Sequence, residues 1–160
     1  MQNRTISSVE IDEKNALLRA SALCSQRECC VSQIKEKLIG WGQSLEACER
    51  IILQLKEERF IDEARFCRAY ALDKMRYNHW GRVKIGQMLR LMGVSNSDRD
   101  AALAELPEDE YSGILRQLAE KKRPSIKARS DYELRMKLLR FLVGRGFELD
   151  EAVSAIDKNR

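Results

Sequence analysis

Three observations predict an all-α fold. Apolar residues return at three- and four-residue intervals along almost the whole chain, and no stretch sustains the two-residue alternation of a half-buried strand. Only two prolines and eight glycines interrupt 160 residues. The chain is 44% hydrophobic and 34% charged, enough apolar material for a core and more charge than an average domain carries. That balance excludes collagen-like, disordered and membrane-spanning classes. No apolar run approaches the ~20 residues that cross a bilayer.

The elements follow in order. Ile11, Leu17, Leu18 and Leu23 mark a first amphipathic segment; Ile34, Leu38 and Trp41 mark a second; Leu45, Cys48, Ile51, Ile52 and Leu55 mark a third. Asp62 is placed as an N-cap for the next helix, where Glu63 favours the positive end of the dipole and Ala64, Phe66, Ala69, Tyr70 and Leu72 supply the apolar face. Val83, Ile85, Met88, Leu89 and Met92 continue the pattern. Ser130-Asp131-Tyr132-Glu133 fits a capping box before Leu134, Met136 and Leu138. Pro107 and Pro124 fall between helical runs, where proline does no damage.

Gly42, Gly93 and Gly146 each follow an apolar helical run, the position where a left-handed residue closes a helix. Aligned on them, Ile34, Ile85 and Leu138 lie eight residues before, Leu38, Leu89 and Leu142 four before, and Ile52, Leu103 and Ile156 ten after. The lags are 51 and 53 residues. The chain therefore reads as three tandem three-helix repeats at 12–58, 62–106 and 109–158, after a flexible N-terminus at 1–11. Units this small bury little apolar surface alone, so neighbours are expected to stack.

Charge is uneven. Residues 1–60 are net zero and 61–111 net −1, whereas 112–147 hold ten basic and three acidic side chains, net +7; the remainder is −2. Such a zone attracts a polyanion or forms a solvated helix face. Arg65, Arg68, Lys74, Arg76, Arg82, Lys84 and Arg90 gather in the middle unit, where arginine forks suit phosphate or carboxylate and local ion pairs are the simpler use. Tyr77-Asn78-His79-Trp80-Gly81 lies among them. Its aromatics can stack on bases or anchor a partner, while Gly81 caps the next helix and Trp80 packs on Ile85.

Catalytic equipment is sparse. His79 is the single histidine, and neither Cys30 nor Cys67 sits in a nucleophile signature. Cys24, Cys29, Cys30 and Cys48 lack the paired C-x-x-C spacing of a zinc site, and no phosphate-binding glycine loop occurs. We expect no catalytic residue, metal or cofactor. The N-terminal residues show no secretory pattern, so the expected compartment is the cytoplasm, with reduced thiols.

Phe60-Ile61-Asp62-Glu63-Ala64-Arg65-Phe66, then Trp80-Gly81-Arg82-Val83-Lys84-Ile85 and Leu89-Arg90-Leu91-Met92-Gly93-Val94, closely resemble the middle repeat of the RecX family. Lys137-Leu138-Leu139-Arg140-Phe141-Leu142-Val143-Gly144-Arg145-Gly146-Phe147 is similar to that family's closing motif, and Ile34, Lys37, Leu38 and Gly42 match its first repeat. Arg82 replaces the usual proline, Cys30 the usual serine, and Gln33-Ile34 the usual acid-leucine pair. The resemblance spans about residues 16–156 and implies a curved, elongated array of three-helix repeats. It also implies a regulator that binds the RecA–single-stranded-DNA filament and mainly restrains its ATP hydrolysis, strand exchange and coprotease activity. On that expectation Arg65, Arg68, Arg76, Arg82, Lys84, Arg90, Arg135, Arg140 and Arg145 contact recombinase or DNA, and Asp62, Phe66, Gly81, Gly93 and Gly146 shape the fold. The expected state is a monomer. A plain DNA-binding helical protein and a helical-repeat adaptor for another protein are the competing readings.

Overall fold

The computed structural model describes residues 11–158, and among them it contains nine α-helices, one short 3-10 turn and no strand. Of the flexible N-terminus expected at 1–11, residues 1–10 lie outside the described residues. Ile11 is half-buried, and its carbonyl accepts from the Gln43 side chain at 2.6 Å. The chain forms two compact units: one holds residues up to Phe66 together with Met92–Val94, the other Cys67–Leu91 and the residues from Ser95 on.

In the first unit α1 (Glu13–Gln26), α2 (Val31–Gly40) and α3 (Leu45–Glu57) pack on one another. Asp12 and Ser44 cap α1 and α3, accepting from Asn15 N–H at 2.8 Å and Ala47 N–H at 3.1 Å. The core joins Ala16, Ala20, Ile34, Leu38, Cys48, Ile51 and Leu55. Here two apolar positions read from periodicity change sides: Leu18 is 59% exposed and Leu45 60%. The inward stripe of α1 is the small pair Ala16–Ala20, four apart, which lets the neighbouring helices come close; Leu45 stands at the first residue of α3, above its buried face.

The second unit holds most of α4 (Glu63–Asn78), then α5 (Arg82–Leu91), α6 (Asn96–Ala104), α7 (Glu108–Lys122), α8 (Asp131–Gly144) and α9 (Leu149–Asp157), with the 3-10 turn at Arg123–Ser125. The pairing of α2 on α3 recurs as α5 on α6 and α8 on α9, and that of α1 on α3 as α7 on α9. Asp62 caps α4, accepting from Arg65 N–H at 3.0 Å. Ser130 caps α8 through Glu133 N–H at 3.1 Å, but the Glu133 carboxylate accepts from Arg129 N–H at 3.0 Å, one residue upstream of the expected capping-box partner. Gly42, Gly93 and Gly146 have φ of 88°, 78° and 98°, the left-handed closure their positions require. The repeat columns Ile34, Ile85, Leu138 and Leu38, Leu89, Leu142 are all at most 1% exposed. No helix among the described residues is long and apolar enough to cross a membrane.

Candidate functional site

The start of α5 and the end of α8 meet in the second unit through backbone. Gly81 N–H donates to the Arg145 carbonyl and Val83 N–H to the Gly146 carbonyl, both at 2.9 Å, and the Arg145 guanidinium donates to the Asn78 carbonyl. The approach is close enough that neither glycine has room for a Cβ. Ile85 N–H donates to the Gly81 carbonyl at 3.1 Å, so Gly81 also starts α5.

Arg82 closes this junction. Its guanidinium lies 4.0 Å above the Tyr111 ring, donates to the Leu103 carbonyl at 3.1 Å and Glu108 at 2.5 Å, and stands 3.7 Å from Glu151. Its backbone N–H donates to the Tyr111 hydroxyl at 3.0 Å. A proline at this position has no N–H, so arginine in place of proline adds a bond between α5 and α7. Tyr111 tilts against Phe147 with ring centres 5.4 Å apart. Burial pushes its phenol well above the ordinary range, and burial likewise raises the Glu151 carboxyl, with Arg82 and the Tyr111 hydroxyl pulling that carboxyl down.

The other expected contact residues divide by what the fold does with their donors. Arg65, in the first unit, holds Glu28 at 2.5 Å and the Arg59 carbonyl at 3.1 Å. Arg76 grips Glu110 with two bonds of 2.8 and 3.1 Å, Arg135 grips Asp157, and Arg68 stands 3.9 Å from Glu105. Lys84 lies 4.6 Å over the Trp80 ring and Lys74 5.2 Å from it, so two ammonium groups meet the Trp80 ring. Arg90 and Arg140 are exposed and form no ion pair or hydrogen bond among the described residues.

His79 has φ of 55° and closes α4, with Trp80 N–H reaching back to the Lys74 carbonyl at 3.1 Å. Cys29, Cys30, Cys48 and Cys67 are buried, and the Cys24 thiol is pushed up to about 12, first by burial and then by Cys29. No group of His, Cys, Asp or Glu among the described residues is placed to hold a metal ion. Sequence reasoning did not single out Tyr111, Glu151 or Arg99. The first two act over long separations, and Arg99 looks like an ordinary surface charge between Asp98 and Asp100, although its side chain is only 11% exposed.

The ion pairs set an acid limb. Arg76 holds the Glu110 carboxyl below its usual range, and the Arg129 N–H and then Lys137 do so for Glu133. Such carboxylates stabilise the fold above the unfolded value of about 4.3 and lose that contribution as pH falls through their lowered folded values. Glu151, raised by burial, acts oppositely and favours the fold below the unfolded value. Melts from pH 7 to pH 3 should show falling stability below the unfolded carboxylate value, and Glu110→Gln should make that fall shallower. An unchanged acid slope in the variant would refute the Arg76–Glu110 contribution.

Two family models match the chain: "RecX, third three-helix domain" over residues 108–156 and "RecX, second three-helix domain" over residues 62–103. Among proteins named "Regulatory protein RecX", the one from Clostridium tetani is 32% identical over 79% of this chain and 58% of its own length. The one from Pelodictyon phaeoclathratiforme is 31% identical over 88% of this chain and 86% of its own. The chain thus spans less than two thirds of the Clostridium relative. The crystal structure of RecX from Lactobacillus salivarius superposes with a TM-score of 0.82 at 18% identity, covering 91% of this chain and 95% of that one, which shows the shared fold.

Proposed function

The chain belongs to the RecX family, and from that premise we propose that it is a non-enzymatic, cytoplasmic regulator that binds, as a monomer, the filament RecA forms on single-stranded DNA and mainly restrains it. One observation carries the reading. In the basic zone, Arg116, Lys121, Arg123, Lys127, Arg129 and Arg140 form no ion pair among the described residues, while Arg135 and Lys137 are paired. With Lys122, which lies over the Phe141 ring, folding therefore leaves seven cations of α7, α8 and their connection without a partner charge among those residues. Charges left unpaired by the fold are those whose counterions a polyanion can release on binding. A filament offers DNA phosphate and acidic protein side chains together, and arginine forks serve both. Lys84 and Lys74 over the Trp80 ring, and Arg90 near the end of α5, would extend the contact into the middle repeat. Arg82, whose donors are occupied inside the second unit, and Arg145, whose guanidinium donates to the Asn78 carbonyl there, would act by shaping it.

The test is recombinase ATP hydrolysis on single-stranded DNA, titrated with this protein below stoichiometric ratio. Inhibition well below one regulator per recombinase is expected. Arg123→Glu with Arg140→Glu should weaken it by roughly tenfold or more for each charge-assisted hydrogen bond removed, with helical circular dichroism unchanged. Hydrolysis untouched at excess of a folded protein would overturn the regulator reading in favour of an adaptor. A steeply salt-dependent affinity for naked DNA without any effect on hydrolysis would favour plain DNA binding.

A further inference from the structure

A groove of about 310 Å³ in the second unit lies beside α5 and α6, lined in part by Arg82 and Val83 of the α5–α8 junction. Arg90 and Arg99 line it together with Gly86, Leu103 and Glu148. Arg99 is the unusual member. Its side chain is 11% exposed, its Nε is 3.2 Å from Asp100, and its Nη1 is buried with no hydrogen-bond acceptor among the described residues. An unmatched buried guanidinium N–H is costly, so a donor left in this state beside an open groove calls for an acceptor. Arg90, exposed and unpaired among the described residues, stands at the same groove. Gly86 keeps the floor open: a Cβ there would lie 3.2 Å from Leu103 Cδ1 and 3.9 Å from Arg99 Cδ.

We propose that this groove is a recognition pocket for a single carboxylate side chain presented by a protein partner. The electrostatics select that ligand over a nucleic-acid backbone. Arg82, Arg90 and Arg99 are surrounded by Asp100, Glu108, Glu148 and Glu151, so the neighbourhood has no net positive field to gather a polyanion. What it offers is short-range: the Arg90 and Arg99 side chains line one groove with Val83 and Leu103, and a guanidinium fork suits a single carboxylate. The pocket differs in this from the unpaired cations of α7 and α8, and its chemistry does not depend on which partner they meet.

The full chain, labelled at arginine side chains, is titrated by NMR with two five-residue peptides that differ only in a central glutamate or glutamine, flanked by glycine and serine. A third titration uses oligothymidylate. The glutamate peptide is expected to shift the Nε–H signals of Arg90 and Arg99 with saturation in the millimolar range, and the glutamine peptide to leave them in place. Arg90→Ala, an exposed change, should weaken the glutamate peptide about tenfold with the backbone spectrum otherwise retained. The proposal is overturned if the two peptides act alike, if Arg90→Ala leaves the affinity unchanged, or if oligothymidylate shifts these signals and the glutamate peptide does not. No recombinase is present, so this result and the hydrolysis result stand or fall separately.

Discussion

Gly81→Ala should abolish the native packing of the second unit. A Cβ at Gly81 would lie under 3.0 Å from the Gly146 backbone and 2.5 Å from Phe147 N, and these are main-chain atoms held by the Gly81–Arg145 and Val83–Gly146 hydrogen bonds. No rotamer change relieves such an overlap, so α5 and the end of α8 must separate. Separation would strand two backbone hydrogen bonds, at about 1 kcal/mol each, and disturb the Tyr111–Phe147 contact beneath them. We expect a loss of about 3–5 kcal/mol, the upper range for a single substitution. Gly146→Ala should be at least as severe, since its Cβ would meet Lys84 N at 2.7 Å and its φ of 98° already disfavours any side chain. Gly93→Ala supplies the control: φ is 78°, but nothing lies within 4 Å of the added atom, so only about 1–2 kcal/mol of conformational preference is lost. Urea denaturation followed at the helical band separates the three. Equal midpoints for Gly81→Ala and Gly93→Ala would refute the close approach.

Arg82→Glu is the second large effect. The guanidinium is 18% exposed and joins α5 to α6, α7 and α9 through Leu103, Tyr111, Glu108 and Glu151. Reversal removes the stack on Tyr111, leaves the Leu103 carbonyl without its donor, and sets a carboxylate beside two others. Glu108 is 72% exposed and adds little, but the Arg82–Glu151 pair is 18% and 26% exposed. Removing one partner of such a largely buried pair costs about 3–5 kcal/mol, and like charges at this distance add to it. Arg82→Lys keeps the charge but loses the fork, and should fall between the variant and the parent. The measurement is again the unfolding midpoint; a shift for Arg82→Glu no larger than that of an exposed arginine such as Arg140→Glu would show that the network carries nothing. The consequence for functional tests is direct. Under the proposed regulator role, Arg82→Glu would weaken inhibition through lost folding and not through a lost contact, so Arg90, Arg123 and Arg140 are the informative sites for testing contact.

Those two residues also mark where reading the chain and seeing it folded part company. Asp62, Ser130, Gly42, Gly93 and Gly146 were legible because a cap or a left-handed closure is settled among residues three to six apart, and side-chain type alone signals it. The three repeats were legible because the same positions before and after each glycine stay apolar, and a helix buries one stripe whatever it packs against. Leu18 and Leu45 were not, because periodicity marks an apolar position without saying whether a neighbouring helix reaches it.

The basic zone at 112–147 and the family resemblance were likewise plain in one dimension, since composition and motif order need no coordinates. Which cations the fold retains for itself was decided only in three dimensions. Arg82 meets Leu103 across 21 residues and Tyr111 across 29, and Arg145 meets Asn78 across 67. No local spacing encodes such pairs; they exist because the packing of helices carries distant backbone into contact. The amino-acid order thus settles helices, their ends and their repetition through short-range sterics and hydrogen bonding. Tertiary packing settles which arginines become struts and which stay in water, because a charge is paired or left free by whatever distant acceptor the fold brings beside it.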